Sequence, residues 1–263
     1  MTRSEDGANA LTEIGADVHR GDLEDLESLK KGTKDAEAVI HLAFNHDFSK
    51  FAENCEQDKR VIEALGSVLT GSDRPLIVPT GLAGLTEAGQ KATEDMTRPK
   101  DSPFPRKSEE TALSLNGVKA AAIRLSQVHN TVKQGLITNA IKIARDKGVS
   151  AYIGDGMNKW AAVHVSDAAR LFRLALEKFE AGSVYHAVAE EAIPMRDIAE
   201  AIGRSLDVPV TSIAPEEAEE HFGWFIKFAG NDLMASSTIT QEKLGWTPTG
   251  PSLIEDLKHM RSV

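Results

Sequence analysis

Short apolar runs alternate with helical stripes through the first half of this chain. Residues 16–19, 36–44, 75–80 and 118–125 read as strands, and the second of these, Ala36-Glu-Ala-Val-Ile-His-Leu-Ala-Phe44, is a stronger candidate than the first. Between them, residues 23–31, 51–69 and 108–115 space their apolar side chains as helices. Asn116-Gly117 gives the last of these a stop. Strand and helix in alternation, joined by short loops, predict a parallel sheet covered on both faces. The chain opens on Met1-Thr2-Arg3-Ser4, which reads as the tail of a strand, and continues into a short helix.

The second half is more mixed. Residues 136–147 carry apolar side chains at 136, 137, 140, 141, 143 and 144, a helical stripe. Residues 151–165 read as a strand, a glycine-containing turn and a second strand. Ser166 is then placed to cap a helix with Ala168, Leu171, Phe172 and Ala175 on one side. Residues 184–188 form another strand, and Pro194 opens a helix running to Leu206. Thr238 and Gln241 have the spacing of a capping box, and Gly245 ends that helix. Residues 86–105, with three prolines and many charges, read as a loop over the edge of the sheet.

Composition narrows the class. With 263 residues, 41% hydrophobic and 27% charged, the chain is long enough for one large α/β domain and its core. The single Cys55 excludes an internal disulfide and argues against a cysteine zinc site, so a reducing, cytoplasmic setting is expected. The net charge of -10 offers no footprint for nucleic acid. No apolar run approaches the ~20 residues of a membrane span, and no signal-peptide pattern opens the chain. Neither nucleic acid nor membrane is expected as a partner.

Several conspicuous residues have plain structural readings. His41 lies in a buried-strand run and reads as a core histidine. His164 and Asp167 sit at a strand-to-helix junction, where capping is the simple role. Asp22 opens Asp22-Leu-Glu-Asp and also reads as an N-cap. Trp160, Trp224 and Trp246 read as packing or lid residues. The acidic run at 216–220 reads as a solvated helix face. His19, His41, His46, His129 and His164 never fall into H-x-x-x-H spacing, and no metal site is predicted.

Four segments, taken in order, carry a resemblance. They are Gly21-Asp22-Leu23, Val39-Ile-His-Leu-Ala43, Val163-His164-Val165-x-Asp167-Ala168-Ala169 and Lys243-Leu-Gly-Trp-x-Pro248. In this order and spacing the chain resembles the short-chain dehydrogenase/reductase superfamily, in its extended or atypical NAD-dependent epimerase/dehydratase-like branch, from about Thr2 to Leu257. The resemblance implies a Rossmann-like doubly wound parallel sheet. Residues 1–150 are expected as an incomplete dinucleotide-binding region, and 151–263 as a small C-terminal substrate-binding α/β part interwoven with it. It also implies a cofactor site. Asp22 with Leu23 falls where the family's acid contacts the adenine ring, and Leu42, Ala43 and Phe44 fall where the fourth strand lines the ribose. Arg3 ends the second strand, where an arginine suits the 2′-phosphate of NADP over NAD.

Two departures from the family pattern stand out. The family's proton transfer uses a Tyr-x-x-x-Lys pair with an upstream Ser or Thr. Only Tyr152 and Tyr185 are present, and neither has a lysine four residues on. Thr80 falls near the family's hydroxyl, whereas Arg106 and Lys107 offer positive charge out of register with the lysine. Second, no G-x-G-x-x-G turn follows a strand, and the first strand, its glycine turn and first helix, roughly 35 residues in such a unit, have no counterpart. Either the chain is an incomplete or alternatively started version of a longer enzyme, or the strand around Val18 slides over to pair with the strand around Ile40. The second arrangement is the one expected of a compact fold, because unpaired buried backbone groups cost ~1–3 kcal/mol each.

These features leave several functions open. The leading expectation is an atypical NAD(P)-dependent oxidoreductase or epimerase-like enzyme acting on a small organic metabolite, with Thr80 and a histidine, His129 or His164, handling the proton. The alternatives are a non-catalytic dinucleotide sensor, a cofactor-independent isomerase or lyase using Asp47, His46, His129 or His164, and an inactive truncated form. The apolar stripe of residues 51–69 reads as sheet packing or as the seam of a homodimer.

Overall fold

The computed structural model describes residues 1–99 and 101–261. They form two compact units. The first comprises Met1–Thr80, Pro103–Ile123 and Phe179–Ser183, and the second Gly81–Ser102, Arg124–Lys178 and Val184–Val263. The chain passes between the units several times, so no single cut in the sequence separates them.

The first unit contains α1 (Glu5–Glu13), α2 (Leu26–Lys34), β1 (Val39–Ile40), α3 (Phe51–Leu69), β2 (Pro75–Gly81), α4 (Ser108–Leu113) and most of β3 (Lys119–Leu125). β2 lies between β1 and β3, with Val39 opposite Leu76 and Ile40 opposite Ile77 in parallel register. Leu76, Ile77 and Val78 are consecutive and fully buried, as a strand covered on both faces requires. Helix α3 buries Val61, Ile62, Leu65 and Leu69, each worth ~1.5–3 kcal/mol of transfer free energy, and packs on α2 and α4. Arg74 fastens the far end: its guanidinium donates to the carbonyls of Thr33, Lys34 and Ala36 and to that of Val68. Those of Thr33, Lys34 and Val68 are open carbonyls of two helix C-termini, which a cation suits, and that of Ala36 lies just beyond α2.

The second unit contains β4 (Gln127–His129), α5 (Ile137–Lys147), β5 (Ser150–Ile153), β6 (Lys159–His164), α6 (Val165–Glu177), β7 (Val184–Ala187), β8 (Glu190–Pro194), α7 (Met195–Leu206), β9 (Val210–Ile213), α8 (Ala218–Phe222), α9 (Ile226–Ala229), α10 (Thr238–Leu244) and α11 (Leu253–Lys258). β6 runs parallel to β4 and antiparallel to β8, while β5 and β9 form a separate parallel pair. Trp160, Ile137, Ile198, Ile202, Phe225 and Leu257 belong to the core of this unit.

The α/β class and most elements match the sequence reading, and the differences have local causes. The helix expected over 23–31 begins at Leu26, because Asp25, and not Asp22, caps it by accepting from the Ser28 N–H at 3.1 Å. The cap of α6 is His164, whose ring accepts from the Ser166 N–H, so Ser166 lies inside the first turn. Pro194 ends β8, a strand absent from the sequence reading, and itself caps α7. α10 starts after Ser237, whose hydroxyl donates to the Val188 carbonyl, so the capping box of Thr238 and Gln241 does not form as expected. Gly245 does end this helix, at φ +61 in the left-handed region.

The expected sliding of the early strand does not occur. β1 stands at the edge of its sheet, paired with β2 alone among the described residues. The segment around Val18 pairs with the chain's opening instead: the Thr2 N–H donates to the His19 carbonyl at 3.0 Å, and the Gly21 N–H to the Thr2 carbonyl at 3.3 Å. The His19 ring also reaches the Ser28 carbonyl at 2.8 Å and lies so close over Gly32 that a Cβ there would meet it at 2.6 Å. Sliding would break all of these contacts for one new ladder.

Candidate functional site

The ends of β1 and β2 in the first unit gather most of the candidate chemistry. The extended chain beyond β1 carries Leu42, Ala43 and Phe44. Leu42 is 61% exposed, unusual for a leucine directly after a sheet strand and suited to a ligand-facing position. The Arg106 guanidinium lies 4.2 Å from the centroid of the Phe44 ring, donates to the Pro79 carbonyl at 3.3 Å and to the Ser108 hydroxyl at 2.9 Å. Phe44 also meets Phe51 edge-on, and Phe51 meets Phe104. An aromatic wall and a fixed cation therefore stand beside the end of β2.

Next to Pro79 is Thr80. It is 1% exposed, and its hydroxyl has no hydrogen-bond partner. A buried hydroxyl without a partner costs ~1–3 kcal/mol, so its retention calls for a use.

Behind this surface lies a buried polar cluster that sequence reasoning missed. Asp58, 4% exposed, accepts from the Ser108 hydroxyl at 2.5 Å, meets His41 Nε2 at 3.0 Å and stands 4.0 Å from Arg106 Nε. His41 is thus a satisfied buried histidine. Asp58 sits on the apolar stripe of α3 near Cys55, and a lone acid there was the available signal. Cys55 is itself buried, and burial pushes its thiol up to about 11, leaving it protonated at neutral pH.

Arg3 and Asp22 do come together, at 3.8 Å, with the Arg3 side chain 81% exposed. Asp22 also accepts from the Glu24 N–H at 3.0 Å.

His129 and His164 belong to the second unit, where they form a cluster of their own. Their rings are 5.6 Å apart and edge-on. His129 Nδ1 bonds Asp256 at 2.6 Å, and Asp256 stands 3.8 Å from His164 Nε2. Since a carboxylate only accepts, His129 carries its proton on Nδ1, and Nε2 is left as a buried atom without a partner, 3.9 Å from Glu190. Burial pushes the His129 imidazole below its usual range, against the pull of Asp256. Burial likewise raises the Glu190 carboxyl. Asp167 is fully buried and accepts from the Thr249 and Gly250 N–H groups and from Arg170, a structural fastening of the chain after Trp246. Asp47 and His46 lie on the loop after Phe44, where the Ser49 hydroxyl holds the Asp47 carboxyl below its usual range. Among the described residues no three His, Cys, Asp or Glu side chains are grouped to hold a metal ion, and no helix is long and apolar enough to cross a membrane.

The fit to a nicotinamide dinucleotide is uneven. The strand end with Leu42, Phe44, Arg106 and the buried, unpartnered hydroxyl of Thr80 beneath it suits a ribose and a flat ring. The N-terminus of α1 offers the phosphates no such match. The N-terminus of α1 is filled by its own cap, Ser4 accepting from the Gly7 N–H at 3.1 Å, and carries Glu5 and Asp6 in its first turn. Two carboxylates there repel an anion.

No protein-family model matches the chain. It is 49% identical to the uncharacterized protein C2A9.02 of Schizosaccharomyces pombe and 41% identical to the uncharacterized protein YLL056C of Saccharomyces cerevisiae. Each match covers 98% of this chain and 88% of the relative. The chain therefore belongs to the family of these two yeast proteins. Its fold is that of the NAD-dependent epimerase/dehydratase branch of the short-chain dehydrogenases/reductases. A dTDP-glucose 4,6-dehydratase from Streptomyces venezuelae, with NAD bound, superposes with TM-score 0.72 at 19% identity over 96% of this chain and 81% of that one. A UDP-glucuronic acid 4-epimerase from Bacillus cereus, in complex with NAD, gives 0.70 at 19% over 97% and 83%. MoeE5, in complex with UDP-glucuronic acid and NAD, gives 0.70 at 18% over 96% and 92%.

Proposed function

We propose that this protein is an atypical NAD(P)-dependent oxidoreductase or epimerase-like protein acting on a small organic metabolite. Its own residues hold the nicotinamide-ribose end of the dinucleotide at the ends of β1 and β2. The observation that carries this reading is Thr80: a buried, unpartnered hydroxyl beside the carbonyl that Arg106 grips, in a fold whose solved neighbours hold NAD. Arg106 acts as the fixed cation in place of the family's lysine, Phe44 as the flat wall, and Thr80 as the hydroxyl that orients a polar oxygen. Arg3, close to Asp22, is the group for a 2′-phosphate and favours NADP. A single cysteine, which can form no internal disulfide, supports a reducing, cytoplasmic setting.

A second reading, binding without turnover, draws support from the same site. Both tyrosines, Tyr152 and Tyr185, lie in the second unit, so no phenol of the first unit stands by to exchange a proton.

The test is a thermal melt of the purified chain with NADPH and with NADH. Saturation at about ten times the dissociation constant adds ~1.4 kcal/mol, an upward shift of roughly 2–3 °C for a chain of this size. A shift with NADPH supports the reading, and turnover of NADPH with candidate carbonyl metabolites then separates enzyme from sensor. A cooperative melt unmoved by either nucleotide sinks both.

A further inference from the structure

The chain leaving β1 alternates aromatic and polar residues, Phe44-Asn45-His46-Asp47-Phe48, the two-residue period that puts like side chains on one face of an extended segment. The polar set bonds within the loop. The Asn45 side chain accepts from the Asp47 N–H, and the Asp47 carboxyl accepts from the N–H and the hydroxyl of Ser49. The aromatic set gathers. His46 stands edge-on to Phe44 at 5.4 Å and to Phe48 at 6.0 Å. Phe51, the first residue of α3, meets Phe44, Phe48 and Phe104 at 6.2, 5.7 and 5.8 Å. Four of the chain's nine phenylalanines thus form one half-buried platform in the first unit, with the positive charge of Arg106 over its Phe44 end. Rings linked at these spacings extend readily onto a bound flat ring. A sugar laid on them would leave its hydroxyls without partners.

We infer that this platform takes a quinone, as the substrate of the NADPH site proposed above, and the inference rests on that site. The chemistry selects a quinone among flat carbonyl compounds. Reduction of an aldehyde or ketone makes an alkoxide, so basic that an acid must meet it, which is the part of the family's tyrosine. The first unit holds no tyrosine. A quinone needs none. It accepts a hydride from NADPH: a C–H bond of the nicotinamide breaks, an O–H bond forms on one quinone oxygen, and the nicotinamide is oxidised to NADP+. The hydroquinone monoanion that results is a phenolate, whose pKa of ~10 lets solvent supply the second proton. The fixed charge of Arg106 at the end of the platform stabilises that anion as it forms.

The test follows NADPH oxidation by the purified full chain with menadione and with benzaldehyde, each rate corrected for that without protein. Saturation-transfer NMR on menadione, with NADP+ present so that nothing turns over, reads binding separately. Menadione is expected to be reduced with kcat/KM ~100-fold or more above benzaldehyde, the usual contribution of an acid that the aldehyde lacks here. Saturation transfer is expected at the menadione ring protons. Phe48→Leu is expected to weaken menadione binding by about two- to tenfold, one ring contact, with the NADPH-dependent rise in melting temperature kept. If NADPH raises the melting temperature but menadione is neither reduced nor bound, or benzaldehyde is reduced as well as menadione, the quinone is overturned and the cofactor site stands. Menadione binding unchanged in Phe48→Leu and in Phe51→Leu overturns the platform. No rise with either nucleotide and no turnover overturns the cofactor site and this inference together.

Discussion

Arg106 lies over the face of Phe44, its guanidinium carbon 4.2 Å from the ring centroid. The two residues are 62 positions apart in sequence, and the Pro79 carbonyl of β2 and the Ser108 hydroxyl of α4 hold the guanidinium in place. A cation so placed over a ring is worth ~0.5–2 kcal/mol, and here it also neutralises part of the buried Asp58 charge.

Arg106→Leu is expected to cost about 1–3 kcal/mol, since it removes the cation–π contact and a charge near a buried acid. Arg106→Lys restores the charge but not the planar fork, and recovers only part of it. Urea unfolding of the three proteins checks the order. In the proposed function, both variants also lose the NADPH-dependent rise in melting temperature.

Asp58→Ala leaves His41 and Ser108 buried without their shared acceptor. The expected loss is about 3–5 kcal/mol, the usual result of removing one partner from a buried charged pair. Asp58→Asn, which keeps one carbonyl acceptor, loses less. Equal losses in the two variants, measured by denaturant midpoint, would contradict the role given to the carboxylate.

Thr80→Val separates stability from binding. The threonine hydroxyl has no partner, so its replacement by a methyl is expected to leave stability within about 1 kcal/mol or to raise it. The proposed site nevertheless loses its polar contact, and the shift caused by NADPH shrinks. Loss of stability with an unchanged shift would assign Thr80 to the core alone.

Acid should loosen the second unit through His129. Its folded-state pKa lies below the ordinary 6.5, so the unfolded chain binds more protons in the window below 6.5. Stability therefore falls as pH drops through 6.5 toward the depressed value. Glu190, raised above 4.5, acts in the opposite sense: its contribution is lost as pH rises from 4.5. His129→Asn can still donate to Asp256 but cannot titrate, and is expected to flatten the fall below pH 6.5 in a series of urea melts.

Much of the fold was legible because its signals are local. The stripe of Phe51–Leu69 gave α3 its observed bounds, and the run Leu76-Ile-Val78 gave the central strand. The glycine at 245 gave the end of α10. What the sequence withheld depends on partners distant in the chain. Asp58 meets Ser108 across 50 positions and His129 meets Asp256 across 127, and no spacing rule encodes either. The failure of the strand at 16–19 to pair with β1 was hidden for the same reason: Thr2 competes for it, and His19 anchors it on α2. Leu42, Ala43, Phe44 and Thr80 could be picked out because they lie just beyond β1 or near the end of β2, where apolar patterning stops. Arg106 was read only as a charge out of register with the family's lysine, because its contacts with Phe44, Pro79 and Ser108 are made across the fold.

Saturation-transfer NMR on the chain with NADPH tests the central claim most directly. Irradiation of the protein should transfer most strongly to the nicotinamide ring and its ribose, weakly to the adenine, and to neither in Arg106→Leu. Transfer dominated by the adenine, or no transfer from the folded wild-type chain, would contradict the account.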